Sequence, residues 1–476
     1  MTRPIKSGRQ RRRRRRRAIL AGIILLPVVY LSFVGMLARH ANPHEYPETA
    51  EELSTYYAQV PPEENAAPLY EKAFALSPSD ANLGKVMNER ARNNQPLRIE
   101  DWQTPFPDDV LAALAKDLET NCEYFELLHQ ASALKKCRFA LDFARGDSYH
   151  RSTGIPFWEP DKPLNWEAIS QADWQLCLKA RFEVGAGHTD MLPVTLLAAA
   201  ALPRALANVP NLDTQMKRAG FVFGCTHLLE YVLSNISLPD DALGSIQAAM
   251  AELECPDAIA HGLIGARCTG LACFDDPYPT SGTELVGMFT HSLIEELSPV
   301  DSNTVINKGY HWSGFRNMDR SAFLNTMDYA LSVGKMPYPD MLAVKDFHKF
   351  VSWRTPVCRM FIPAKKEPII TSGTHHRLAP CLQEYFCRQA GAVARVRLAC
   401  TAIAIERYRL ANHSLPATLS DLVPDWLRGI PVDPYDGLPL RYKDTGKGYI
   451  LYSVGENRLD DEGSKDTDNI FAVERL

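Results

Sequence analysis

The chain of 476 residues lacks the short motifs by which many catalytic centres are identified. It contains no CxxC pair, no HExxH helix, no GxSxG turn, no phosphate-binding P-loop, no GxGxxG turn after a strand and no kinase signature. Each of these motifs supplies a defined part of a mechanism, such as zinc ligands, an exposed nucleophile or a cradle for phosphate. We therefore predict no catalytic residues and no organic cofactor.

A regular set of paired cysteines is also missing. The eleven cysteines are an odd number, and most lie in apolar helical patterns such as FVFGCTHLLEYVL. A buried free cysteine behaves as a small hydrophobic residue. We expect mainly free thiols, and the nearest pairs for a bridge in an exported domain are Cys268/Cys273 and Cys381/Cys387.

Acidic residues are absent from the first 39 residues, which carry eleven Lys and Arg, including seven consecutive arginines at 11–17. Residues 18–38, AILAGIILLPVVYLSFVGMLA, contain no charge. About 20 apolar residues in a helix span the hydrocarbon core of a bilayer, and clustered basic residues stay on the cytoplasmic side. We predict a cytoplasmic segment over 1–17 and a transmembrane helix over 18–38. The protein is then a single-pass protein of the cell inner membrane, with the bulk of the chain in the periplasm.

A cleaved signal peptide is the alternative to a retained anchor. It would have an apolar region of about 7–15 residues followed by an A-x-A site. The apolar run here is longer, and residues 36–41, MLARHA, offer no such site. The chain beyond residue 39 carries 41 basic and 57 acidic residues, a net charge of −16. This charge argues against nucleic acid as a partner and is compatible with divalent cations or basic partners.

Beyond the anchor, the composition predicts a polar, Pro-rich stalk over 39–66 and an α-helical body over 67–380. In SLPDDALGSIQAAMAEL, one helical face carries Leu243, Ile246, Met250 and Leu253, and Ser237 is placed to cap the helix. The apolar stretch MLPVTLLAAAALPRALANVP is too short and too often interrupted by proline for a second span. We expect it to be a buried core helix.

Residues 274–320 are rich in turn formers and aromatic residues, and long loops often line functional sites. The alternative is a surface loop with one buried tryptophan. His227 and His261 stand in apolar helical patterns and are predicted to be core histidines rather than ligands. The side chains of the loop that would line a pocket are His311, Trp312, Arg316 and Asp319.

The C-terminal residues contain a second informative pattern. A helix predicted over 381–411 ends in YRLANHSLP and is followed by a short helix, ATLSDLVPDWL, and then by DPYDGLPLRY, GYILYSVG and an acidic stretch ending in DTDNI. LPLRYK and KGYILYSV, joined by residues 444–446 (DTG), have the signature of a β-hairpin. A hairpin alone is only marginally stable, so we expect it to pack on the preceding helix. Ile403, Tyr408 and Leu410 are the candidates for that contact.

This order and spacing resemble the C-terminal domain of the type II secretion major pseudopilin. The resemblance implies a small α+β domain over 381–476, in which an acidic loop holds calcium between the last strands. The layout as a whole resembles that of bacterial single-pass membrane proteins. The chain is not itself a pseudopilin, because a prepilin has an apolar helix that leads directly into this domain. Here about 340 residues intervene.

The resemblance extends to the acidic loop residue by residue. Residues 453–455 (SVG) match the start of the family's loop, and Asp466 and Asp468 match its acidic end. The family's usual Asp-Gly is replaced by residues 457–458 (NR), so one carboxylate and one glycine are lost. Asp460 and Asp461 are the candidates to compensate. Calcium accepts about 6–8 oxygen ligands. The predicted calcium ligands are Asn457, Asp460, Asp461, Asp466 and Asp468, and the alternative is a solvated acidic turn without metal.

The sequence as a whole predicts a mainly α fold, with an N-terminal transmembrane helix, a large helical body and a small α+β C-terminal domain of one long helix and a short antiparallel sheet. We expect a non-catalytic, membrane-anchored scaffold or binding protein of the cell envelope, with the lipid bilayer as a partner. One alternative is an envelope hydrolase that uses the 274–320 loop. The other is an accessory component of a pilin-like or secretion assembly, with other envelope or pilin-like proteins as partners.

Overall fold

The computed structural model describes residues 47–93, 105–141, 164–275, 315–344 and 369–475, together with Val29, Gln95 and Phe143. Within its helices, it describes the backbone alone for residues 50, 272–275, 315–319, 321–322 and 369–381. The predicted transmembrane helix over 18–38 lies outside the described residues apart from Val29. Among the helices of the described residues, none has both the length and the apolar composition needed to span a bilayer.

The described residues are mainly α-helical, as the sequence predicts, with one small antiparallel sheet at the C-terminal end. The α-helices are α1 (Ala50–Tyr56), α2 (Ala67–Ala75), α3 (Ala81–Arg92), α4 (Asp108–Thr120), α5 (Cys122–Ala133), α6 (Trp166–Gly185), α7 (Leu192–Ala205), α8 (Leu212–Asn235), α9 (Asp240–Ala251), α10 (Ala258–Asp275), α11 (Phe315–Gly334), α12 (Asp340–Ala343) and α13 (Ile369–Asn412). Two 3-10 turns, Pro62–Glu64 and Leu419–Leu422, precede the strands β1 (Arg441–Asp444), β2 (Gly448–Ser453) and β3 (Asn469–Glu474).

Helices α8 and α13 lie side by side and run in the same direction. Gln389 donates to the backbone oxygen of Gln215 near the start of α8, at 2.9 Å, and Arg409 donates to Ser237 just beyond its end, at 3.3 Å. One hydrophobic cluster surrounds this pair and includes residues of α5, α6, α7, α9 and the sheet. A second cluster joins α1, α10, α11, α12 and the first half of the described α13 side chains. Helix α13 therefore contributes to both clusters.

Helix α9 agrees with the apolar face predicted from the sequence but not with the predicted N-cap. Leu243, Ile246, Met250 and Leu253 are all buried, so the predicted apolar face is confirmed. The predicted cap is wrong, because the helix begins at Asp240 after an extended Pro239 with no side-chain cap. Leu238 is buried, and the Ser237 hydroxyl accepts a hydrogen bond from Arg409 instead.

Helix α7 is the apolar stretch that was predicted to be a core helix. Ten of its residues are buried, and Pro193 stands in its first turn, where a missing backbone N–H costs least. Arg204 in its last turn donates to the backbone oxygen of Ser132 at 2.8 Å and so connects α7 to the end of α5. The prediction that this stretch forms a buried core helix is confirmed.

The three strands form an antiparallel sheet in the order β1-β2-β3. Arg441 pairs with Tyr452 in the first ladder, and Leu451 pairs with Phe471 in the second. The predicted turn is present: Gly446 has φ 77°, and its N–H donates to Asp444 at 2.7 Å. Successive side chains of a strand point to opposite faces, so Leu451 and Phe471 share the buried face.

The sheet packs on α13 as predicted. The hydroxyl of Tyr449 donates to the backbone oxygen of Ala402 at 3.2 Å, and Ile403 belongs to the same hydrophobic cluster. Tyr408 instead packs edge to face on Trp426, with ring centroids 5.0 Å apart. Two boundaries differ from the prediction: α13 begins at residue 369 rather than 381, and the predicted short helix ATLSDLVPDWL is the 3-10 turn Leu419–Leu422.

The predicted stalk contains a helix that packs on the body. Helix α1 buries Leu53 completely, and Tyr57 just beyond it is also buried. Glu48 lies 3.7 Å from the guanidinium of Arg267 on α10 and 3.8 Å from that of Arg320 on α11. The described part of the predicted stalk is therefore fixed to the body, with Glu48 paired to two of its helices.

Candidate functional site

The turn DPYDG before β1 is organised by a fully buried carboxylate, Asp433. Its oxygens accept hydrogen bonds from the backbone N–H of Tyr435 and Val454 and from the hydroxyl of Ser453, each at 2.9 Å. Arg441 lies 2.8 Å away and supplies the opposite charge. A buried charge is tolerated when it is paired and hydrogen-bonded in this way. Asp433 thus fixes the turn to the end of β2.

Arg441 also connects this turn to the acidic loop. It pairs with Asp436 in the turn and lies 3.5 Å from Asp460 in the loop. Burial alone would raise the pKa of Asp436, but the bond from Arg441 overcomes this effect and lowers it. One guanidinium on β1 therefore serves three carboxylates, those of Asp433, Asp436 and Asp460.

The five predicted calcium ligands all lie in the described loop between β2 and β3, where two of them bond to each other and two bond to other groups. Asp460 accepts from the Tyr452 hydroxyl at 3.1 Å. Asn457 donates to Asp461 at 2.7 Å. Asp468 accepts from the backbone N–H of Gly463 and Ser464 at 2.8 and 3.1 Å, and Asp466 is exposed. The side chains thus shape the loop internally.

This arrangement fits calcium poorly. One carboxylate oxygen, Oδ1 of Asp468, is buried and has no hydrogen-bond partner among the described residues. Calcium requires about 6–8 oxygen ligands, whereas the carboxylates of Asp460, Asp461 and Asp468 already accept hydrogen bonds within the protein. Among the described residues, no three His, Cys, Asp or Glu side chains are grouped as metal ligands. Calcium binding by this loop stays a prediction.

A second polar cluster joins the body to the sheet along the outer edge of β3. Glu230 on α8 accepts from the backbone N–H of Ala472 at 2.8 Å and from Arg395 at 3.1 Å. Arg395 on α13 donates to the backbone oxygen of Ile470 and to Thr226. We call Glu230, Arg395, Ile470 and Ala472 the β3-edge contact. An open strand edge would expose these backbone groups for pairing with another chain.

The electrostatics of the β3-edge contact favour its charged form. Burial alone would raise the pKa of Glu230, but His227 and Arg395 together lower it. The side chain of Arg395 is only 2% exposed, so its charge depends on Glu230 for compensation. His227 was predicted to be a core histidine, yet its side chain is 41% exposed and its Nδ1 lies 3.1 Å from Arg395. That prediction is wrong because His227 lies at the rim of this cluster.

His261 is partly buried, and its Nδ1 lies 3.4 Å from the backbone oxygen of Ala207. The cysteines behave largely as the sequence suggests. Burial raises the pKa of the Cys137 and Cys400 thiols to about 12, which leaves them as unreactive thiols at neutral pH. Cys268 and Cys387, one member of each candidate bridge, are free.

The 274–320 loop lies largely outside the described residues, including His311 and Trp312. Arg316 and Asp319 fall within the helical backbone of α11, and their side chains are not described. The predicted pocket of His311, Trp312, Arg316 and Asp319 thus lies outside the described side chains.

Sequence reasoning missed Asp433, Glu230 and Arg395. A signal for Arg395 was present, because an arginine within QAGAVARVRLACTAIAI stands in an otherwise apolar helical stretch and needs a partner if buried. Its partner, Glu230, lies 165 residues earlier in the chain, and no local pattern connects the two.

Comparison with known proteins adds no further assignment: no family model, no curated protein and no solved structure matches this chain.

Proposed function

We propose that this chain is a membrane-anchored scaffold or binding protein of the cell envelope, whose C-terminal domain serves to hold the helical body together. The observation that carries this proposal is the β3-edge contact. It places a buried ion pair and two backbone hydrogen bonds of β3 between α8, α13 and the sheet. The residues that the domain could use to recruit another strand at this edge are engaged within the chain.

The segment after the predicted anchor supports the same proposal. Glu48 forms long ion pairs with arginines of two helices, and Leu53 is buried between α1 and the body. Because only eight residues, 39–46, separate the end of the predicted span from Pro47, the body would lie close to the bilayer surface. A scaffold held near the membrane is consistent with these contacts.

The proposal is tested by extracting membranes with alkaline carbonate. The full-length chain should remain in the membrane pellet, and a variant without residues 1–39 should be released into the supernatant. Added protease should digest the body in spheroplasts, because the body would lie outside the cytoplasm. Recovery of the intact full-length chain in the cytosolic fraction would contradict the proposal.

The alternative is an accessory role in a pilin-like assembly. The β3-edge contact limits which surface of the chain a partner in such an assembly could use. Such a partner would have to use a surface other than the β3 edge, since Glu230 and Arg395 already bind the backbone there. Co-purification of pseudopilin subunits with the detergent-solubilised full-length chain would favour this alternative.

A further inference from the structure

The acidic loop over 455–468 faces two cationic side chains of the neighbouring strand. Arg441 and Lys443 stand two residues apart on β1 and therefore point to the same face of the sheet. The guanidinium of Arg441 lies 3.5 Å from Asp460, and Nζ of Lys443 donates to the backbone oxygen of Glu462 at 2.6 Å. Residues 460 and 462 of the loop are thus each contacted by a cationic side chain of β1.

Tyr452 completes the contact from the next strand. It is the cross-strand partner of Arg441, and its hydroxyl donates to Asp460 at 3.1 Å. The Lys443 ammonium lies 5.4 Å from the centroid of the Tyr452 ring, within the range of a cation–π contact. Gly463 packs on the same ring, where an added Cβ would lie 3.4 Å from a ring carbon. Residues 460–463 therefore wrap around Tyr452.

We propose that the acidic loop is closed by the chain's own cations, Arg441 and Lys443, in the place where the resembling family uses calcium. Acidic residues close in sequence repel one another unless positive charge screens them. The two β1 side chains supply that charge, and the carboxylates of Asp460, Asp461 and Asp468 are bonded within the loop. The loop then keeps its shape without a bound metal ion.

The experiment measures hydrogen exchange of the backbone amides of residues 462–464 in the full-length protein, in millimolar calcium and in chelator. The wild-type amides should be equally protected in both conditions. Lys443→Gln should exchange about two- to fivefold faster, the range expected for one exposed charged contact. Asp460→Asn, which removes the loop's ion pair with Arg441 and leaves Asp433 paired, should act in the same direction.

Lys447→Gln is the matched control, because Lys447 is an exposed residue at the turn of the same hairpin, and its backbone oxygen rather than its side chain accepts a hydrogen bond, from Arg475. It should leave the exchange unchanged. Closure of the loop by Arg441 and Lys443 and closure of the loop by calcium predict opposite results for Lys443→Gln. If calcium closes the loop, removing a nearby positive charge strengthens calcium binding and increases protection. Protection that requires calcium in the wild type, or that rises in Lys443→Gln, would overturn the proposal.

Discussion

At the scale of single residues, α10 depends on a glycine that stands where another backbone comes closest. A Cβ added at Gly265 would lie 1.8 Å from the backbone oxygen of Pro210, which cannot rotate away as a side chain can. Gly220 on α8 is exposed and would meet nothing within 4 Å. The two glycines therefore have opposite roles although both are helical.

We predict that Gly265→Ala destabilises the protein by about 1–3 kcal/mol or more, the range for overpacking. Gly220→Ala should stabilise it by about 0.5–1 kcal/mol, because alanine loses less conformational freedom in a helix. Urea unfolding of the two variants beside the wild type measures both effects. Equal changes for the two substitutions would show that the close approach to Pro210 is not significant.

Asp173 on α6 gives a residue-scale prediction about pH. Burial raises the pKa of Asp173 to about 7, and its Oδ1 has no hydrogen-bond partner among the described residues. An aspartate in the unfolded chain ionises near about pH 3.9. Between these values the native state binds more protons than the unfolded state, so this group makes the protein less stable as pH rises.

Asp173→Asn removes this effect, since the amide does not ionise. The variant should gain stability at pH 8 relative to the wild type and gain much less at pH 4.5, as measured by unfolding at both values. Asp109→Asn is the control, because Asp109 is exposed and its bond to Arg90 lowers its pKa. It should show no gain at pH 8. An equal gain for Asp173→Asn at both pH values would argue against a buried ionising carboxyl.

At the scale of elements, the β3-edge contact attaches the sheet to α8 and α13. Replacing Glu230 with alanine leaves Arg395 buried without its carboxylate and removes the acceptor of the Ala472 N–H. We predict a loss of up to about 3–5 kcal/mol, the range for breaking a buried ion pair. Glu384→Ala is the control: its pair with Arg388 is about half exposed, so the loss should be below about 1 kcal/mol.

Local sequence patterns predict the helices and turns better than they predict the contacts between elements. The apolar face of α9, the core position of α7 and the DTG hairpin turn were predictable from spacing and turn chemistry. The start of α9 was not, because Leu238 is drawn into the core and moves the first turn past Ser237. The Glu230–Arg395 pair was not predictable either, since it depends on which helices become neighbours.

At the scale of the whole molecule, body and sheet share one hydrophobic cluster. Leu228 and Leu229 of α8, Ile403 of α13 and Phe471 of β3 are all fully buried members of it. A core that is continuous across elements favours cooperative unfolding. The helical body and the C-terminal domain predicted as separate units should therefore lose their structure together, which is the property that a scaffold held together by its C-terminal domain requires.

The most direct test of this account is native-state hydrogen exchange of the Ala472 amide, which donates to Glu230 across the junction. We predict that it exchanges with the same opening free energy as the core amides of α8, such as those of Leu228 and Leu229, and that Glu230→Ala lowers this value for β3. An Ala472 amide that exchanges through a separate opening of much lower free energy, unchanged in Glu230→Ala, would contradict the account.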